Sequence, residues 1–111
     1  KPLLVAMIEH INAVDELDNI LKVEGPDAIM IGPYDLSASM GLTAKFNNYN
    51  FVDVMQIIKN KSDDAKIPCG IHVVNPSENK LREKILDGYN FIAYSIDGVF
   101  LHNISINPLT I

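Results

Sequence analysis

Two acids stand beyond apolar runs of strand length. Glu9 directly follows PLLVAMI (residues 2–8), and Asp35 lies shortly after DAIMIG (residues 27–32). If the runs are neighbouring parallel strands, their ends are about 4.8 Å apart. Two carboxylates at one height repel unless a cation or a proton lies between them. A hard divalent cation such as Mg2+ needs few protein carboxylates and keeps positions open for water or ligand. The pair is therefore a candidate metal site; the competing reading is two exposed strand ends or helix caps. The segment GPYDLSAS (residues 32–39) adds a second feature. Asp35 is read as the cap of a short helix starting at Leu36, with the nearby backbone N–H groups aimed at an anionic group. An ordinary tight turn explains the same residues.

Four apolar segments would position these residues, at about 2–8, 27–32, 67–74 and 89–95. Their continuous apolar character is that of parallel strands covered on both faces. Helical patterns alternate with them. Val14, Leu17, Ile20 and Leu21 fall at helical spacing, with Asn12 and Asp15 resembling a capping pair and Gly25-Pro26 as the stop. Phe51, Val54, Met55 and Ile58 form one face of a second helix after a long polar stretch over residues 33–50. Asn75-Pro76, with Glu78 at the capping-box position, opens a third helix that Gly88 ends, and a short fourth begins near Gly98. The order β-α-β-α-β-α-β-α predicts an α/β fold. Four such units make half of a (β/α)8 barrel, whose usual length is about 250 residues. A small open doubly wound sheet is the alternative, although no glycine-rich nucleotide fingerprint follows a strand. Lys1 enters an apolar run almost at once, and residues 103–111 form a tail without a closing element; both suggest a piece of something longer.

Composition narrows the function classes. With 48% hydrophobic and 21% charged residues the chain reads as a soluble globular domain. The net charge of −5 and the scattered basic residues argue against nucleic-acid binding. No apolar run approaches the roughly 20 residues of a membrane span. A single cysteine, Cys69, precludes an internal disulfide and suits a reducing cytoplasm. It reads as a small buried hydrophobe.

In a barrel the active site sits at the C-terminal ends of the strands. Those ends deliver Glu9 and His10, then residues 32–35, then Asn75, then Ser95 and Asp97. His72 lies within an apolar strand and reads as a packed, hydrogen-bonded histidine. His10 reads as a helix start, Asn75 as an N-cap, and Asp97 as a cap or a residue at the mouth of the site. Tyr34 is placed to narrow a pocket. Met30 and Met55 read as core, and Met40 as a loop residue able to touch another subunit.

MIEH (residues 7–10), VEGPDAIMIGPYDLSASMG (residues 23–41), GIHVV (residues 70–74) and GYNFIAYSIDGVFL (residues 88–101) together resemble the HpcH/HpaI aldolase family, over about residues 3–101. The resemblance implies a partial barrel domain over residues 1–111, the C-terminal half of a TIM barrel. It implies a class II, metal-dependent lyase that cleaves a 4-hydroxy-2-oxo acid to pyruvate and an aldehyde. Glu9 and Asp35 would bind Mg2+, Mn2+ or Co2+, and the backbone N–H groups of Tyr34 and Asp35 would hold the carboxylate of a pyruvate-like 2-oxo acid. The metal would serve as Lewis acid, with no Schiff-base lysine. Better-known members carry a substrate-contacting glutamine where this chain has Met7, which cannot donate a hydrogen bond. The loop after Gly41 also departs, with Ala44-Lys45 and Asn48-Tyr49-Asn50 in place of a second glycine and a His-Pro pair. The family's catalytic histidine and enolate-stabilising arginine belong to the other half of the barrel, so the chain alone is expected to be inactive. The resemblance further implies a cytoplasmic homo-oligomer, a trimer or hexamer, for the whole protein. A citrate-lyase-like or malyl-CoA-lyase-like enzyme and a non-catalytic half-barrel are the competing readings.

Overall fold

The computed structural model describes residues 1–110. Four short strands, β1 (Val5–Ile8), β2 (Ala28–Ile31), β3 (Cys69–Val73) and β4 (Phe91–Tyr94), form one parallel sheet in the order β1-β2-β3-β4. Between and after them run α1 (Ile11–Asp15), α2 (Leu17–Ile20), α3 (Pro33–Ser39), α4 (Tyr49–Asp64), α5 (Glu78–Leu86) and α6 (Asp97–Ile104). The strand order never reverses. Right-handed crossovers in one direction set the helices on one face, which is barrel winding rather than the doubly wound alternative. No helix among the described residues is long and apolar enough to cross a membrane.

The register fixes which side chains share a face. Ile8, Ile31, Ile71 and Ile92 align across all four strands, as do Met7, Met30, Gly70 and Phe91 one residue earlier. The isoleucine side is the core. Ile8, Ile29, Ile31 and Ile71 are buried together with Val14, Leu17, Leu36, Phe51 and Ile58 from the helices. The opposite face has no cover: Met7 is 47% and Phe91 43% exposed. Gly70 is required there. A Cβ at that position would lie 2.7 Å from the Phe91 carbonyl oxygen and 2.8 Å from its ring.

Several sequence expectations shift. Each strand is shorter than its apolar run, because pairing ends before the apolar residues do. The helix expected around Val14 to Leu21 is two short pieces broken at Glu16 (φ −94°, ψ 9°). Val14 and Leu17 face the core as expected, but the cap is His10, whose Nδ1 accepts from Asn12 N–H at 3.2 Å, not Asn12 with Asp15. The polar stretch contains α3. The third helix is capped by Ser77, whose Oγ accepts from Lys80 N–H, so Asn75 is not its N-cap and Pro76 precedes it. Met55 packs on the core, whereas Met30 aligns with Met7 on the open face. Met40 ends α3 and also packs on the core. The last helix runs through Ile104, into the expected tail, of which Ile111 lies outside the described residues.

Candidate metal and substrate site

Glu9 follows β1 on the open face, in step with Val5 and Met7. Its side chain leans over the end of β2. A Cβ added to Gly32 would lie 3.2 Å from both Glu9 Cβ and Glu9 Oε2, and 3.3 Å from Met7 Cε. Gly32 is thus the floor on which the glutamate rests. Gly32 N–H also donates to the Ile8 carbonyl at 3.2 Å, continuing the β1–β2 ladder to this level. The same glycine is the N-cap of α3, and Pro33 with its preset φ opens the helix. Asp35 therefore sits in the first helical turn, not at the cap expected for a helix beginning at Leu36. Glu9 lies beside the Gly32 position and Asp35 follows it by three residues along the chain, both acids exposed. Among the described residues neither makes a salt bridge or accepts a hydrogen bond.

The start of α3 has no side-chain cap. Its first intrahelical bond runs from Leu36 N–H to Gly32 O at 2.9 Å, which leaves the Tyr34 and Asp35 amides without protein partners among the described residues. The helix is held in place by two serines that sequence reasoning did not single out. Ser37, fully buried, donates to Tyr34 O and accepts from Ala44 N–H. Ser39 donates to Leu36 O and accepts from Ile11 N–H at 2.9 Å, tying α3 to α1. Their signal was present in LSAS, where two short hydroxyls on a helix can turn back onto carbonyls. Tyr34 packs edge-on against Phe46, centroids 5.0 Å apart, and its hydroxyl accepts from Asn75 Nδ2 at 3.4 Å. Asn75, released from capping, thus borders the rim.

The other strand ends contribute differently. His72 is half-buried, with Nε2 3.1 Å from the Ser95 carbonyl. Ser95 N–H donates to Val73 O at 2.7 Å, and Ser95 adopts φ 62°. Its buried Oγ has no partner among the described residues. Backbone of this kind in a non-glycine residue costs about 1–3 kcal/mol and concentrates at functional sites. Asp97 accepts from its neighbour Gly98 N–H at the start of α6. Cys69 is buried, and burial pushes its thiol up from the ordinary value. A cavity of about 690 Å3 lies elsewhere. It runs between α4 and α5, past Lys59 and Lys84, to the rim at Tyr34 and Asn75, and neither Glu9 nor Asp35 lines it.

Glu9, just after β1, and Asp35, in the first turn of α3, thus both stand at the C-terminal ends of the strands, unpaired among the described residues. No cluster of three or more His, Cys, Asp or Glu able to hold a metal occurs among the described residues. A cation here would have two protein ligands, leaving the rest of its sphere to water or substrate, which suits a hard divalent ion.

Known proteins share this arrangement of strands. A 2-keto-3-deoxy-L-rhamnonate aldolase of Shigella dysenteriae serotype 1 is 35% identical over 97 residues, 85% of this chain and 34% of the relative. A 5-keto-4-deoxy-D-glucarate aldolase of Salmonella arizonae is 38% identical over 101 residues, 87% of this chain and 38% of that one. The chain therefore spans little more than a third of the length of these relatives. The crystal structure of an HpcH/HpaI aldolase from Desulfitobacterium hafniense superposes with a TM-score of 0.82 at 26% identity, covering 91% of this chain and 39% of that one. The sequence profile of the HpcH/HpaI aldolase/citrate lyase family matches residues 1–103, and to that family this chain belongs.

Proposed function

We propose that this chain supplies the metal- and carboxylate-binding half of a class II aldolase, which cleaves a 4-hydroxy-2-oxo acid to pyruvate and an aldehyde. What supports the reading is that Glu9, beside Gly32, and Asp35, in the first turn of the helix that Gly32 caps, are both exposed and unpaired among the described residues. Two such acids without a cationic neighbour are held apart from any internal compensation, and a divalent cation such as Mg2+, Mn2+ or Co2+ relieves their repulsion. When bound, such an ion supplies Lewis acidity toward the keto oxygen of a 2-oxo acid. Glu9 and Asp35 hold it at the rim. The Tyr34 and Asp35 amides donate to the substrate carboxylate, aided by the positive end of α3. Met7, beside Glu9, offers an apolar surface to the carbon chain and no hydrogen bond.

We assign the acid–base chemistry to the part of the barrel outside this chain, so the carbon–carbon cleavage belongs to the whole protein. Its assembly as a homotrimer or hexamer in the cytoplasm belongs to the same reading. The uncovered face that carries Met7 and Phe91 favours a second reading, a half-barrel that binds a divalent ion and turns nothing over. Calorimetric titration of Mn2+ with pyruvate present tests the site. Binding to the parent that is lost in both Glu9→Ala and Asp35→Ala supports the metal pair. Equal binding in all three, or none in the parent, refutes it. Turnover of a 4-hydroxy-2-oxo acid by the chain alone would refute the assignment of acid–base chemistry to residues outside it.

A further inference from the structure

The peptide unit that joins Tyr34 to Asp35 faces two ways. Its N–H, on Asp35, is one of the two amides at the start of α3 without a protein partner among the described residues. Its C=O, on Tyr34, meets Ser37 Oγ at 2.9 Å. A carbonyl oxygen only accepts and a backbone N–H only donates, so the direction of each bond around Ser37 is forced. Ala44 N–H donates to Ser37 Oγ at 3.1 Å, and the hydroxyl proton goes to Tyr34 O. Three dipoles thus run head to tail, from Ala44 N–H through the Ser37 hydroxyl to the Tyr34–Asp35 peptide. The free Asp35 N–H stands at the far end of the row.

Ser37 is fully buried, so water does not compete for these bonds. In such a row each hydrogen bond polarises the next and strengthens it by about 10–30%. The near end of the row is fixed as well. Leu42 N–H donates to Ser37 O at 2.8 Å, and Ala44 is held at φ 58°, in the left-handed region. A non-glycine residue stays in that region only where its surroundings hold it. Ser39 makes a bond of the same kind, to Leu36 O at 2.7 Å, but the peptide it meets does not carry either of the two free amides.

We propose that Ser37 is a positioning residue for the substrate carboxylate, its hydroxyl orienting and polarising the Tyr34–Asp35 peptide so that the Asp35 N–H donates more strongly. This rests on the proposed function, in which that N–H holds the carboxylate. Ser37 touches no substrate and acts only through the peptide in front of it.

Three substitutions separate this role from simple bracing of the helix. Ser37→Ala removes the hydroxyl. Ser37→Thr keeps it, and a helical threonine can bond the carbonyl three residues back. Ile58→Val trims the core from α4, where Ile58 is fully buried, and lowers stability without touching the row. Calorimetry measures Mn2+ alone and then pyruvate in saturating Mn2+. Ser37→Ala is expected to bind pyruvate about threefold more weakly, the share that polarisation adds to a charge-assisted hydrogen bond. Mn2+ alone binds as to the parent, and Ser37→Thr and Ile58→Val bind pyruvate as the parent does. In proton–nitrogen spectra of the ligand-free chain the Asp35 amide nitrogen moves upfield in Ser37→Ala and stays in place in Ile58→Val. If Ser37→Ala does not fold, Ser37→Cys, a weak donor of similar shape, is read in its place with the same expectations. Unchanged pyruvate affinity in Ser37→Ala, an equal loss in Ile58→Val, a loss that Ser37→Thr does not restore, or an equal loss of Mn2+ alone overturns the proposal. A parent that binds neither Mn2+ nor pyruvate instead overturns the proposed function, and this role with it.

Discussion

Substituting Gly32 by alanine probes the geometry of the site with one methyl group. The added Cβ would lie 3.2 Å from Glu9 Cβ and Oε2 and 3.3 Å from Met7 Cε, inside ordinary contact, which begins at 3.4 Å. The backbone has no objection, since φ −100° and ψ 92° are open to alanine. Crowding a packed position costs about 1–3 kcal/mol. Both neighbours are exposed here and can swing outward, so the lower end applies. Reduced freedom of the unfolded chain returns about 0.4–1 kcal/mol. Net stability should therefore change by less than about 1 kcal/mol. The Glu9 side chain, however, must give by a few tenths of an ångström. Disturbing the groups that orient a metal ligand typically weakens binding about 10–100-fold, and the small displacement here argues for about tenfold. Urea unfolding gives the first quantity and Mn2+ titration the second. Unchanged Mn2+ affinity with clearly lost stability would refute the reasoning, because Gly32 would then be a packing position alone.

Other expectations follow from the same contacts. Gly70→Ala drives a methyl into the Phe91 backbone, which cannot swing aside. It should lose about 2–3 kcal/mol by urea unfolding, and stability within 0.5 kcal/mol of the parent would contradict the close approach of β3 and β4. Leu17→Ala removes a fully buried side chain of the helix layer and should cost about 2–5 kcal/mol in the same assay; less than about 1 kcal/mol would mean that α2 does not pack as described. Ser39→Ala removes the acceptor of the Ile11 N–H and should cost about 1–3 kcal/mol as a donor is left unpaired, measurable as a lowered urea midpoint. Cys69 gives a pH dependence. Its folded thiol titrates above the ordinary 9.0 because burial disfavours the thiolate, so the folded state keeps its proton longer than the unfolded state. The stabilising contribution is full below pH 9 and falls as pH rises from the unfolded value toward the raised folded one. Stability rising over that alkaline range in the parent relative to Cys69→Ala would show the sign to be wrong.

Much of the architecture was legible in the sequence because strand and helix signals were spaced to agree. Four apolar runs gave four strands in sequential order, and Phe51 and Ile58 gave the buried face of α4. What sequence could not place were ends and faces. Leu3 and Leu4 continue the first apolar run, yet they stand 83% and 54% exposed, outside the paired strand. Apolar character marks what could be buried, whereas pairing depends on a neighbour. Capping failed for a related reason. His10 and Asn12, or Asn75 and Ser77, all present acceptors near a helix start, and the choice depends on where the preceding strand releases the chain. Met30 and Met55 look alike in sequence; only register separates the open face from the core. Glu9 was legible as a strand-end acid, but its contact with the Gly32 position was not, since a glycine at a strand end has many uses.

The same register that leaves one face of the sheet bare also sets the candidate site. Along β1, Met7 and Glu9 are two residues apart and share a side. Along β3, Gly70 and His72 do the same, and β2 contributes Met30 and then Gly32. The lower layer is apolar and half exposed, and the layer above it carries Glu9 and His72. Burying the lower layer is a matter for whatever closes the sheet. Closure would also lower the effective dielectric around Glu9 and strengthen every charge interaction above it. Stability and cation affinity should therefore rise together when the open face is covered, and a covering segment that raised one without the other would separate the lower layer from the site.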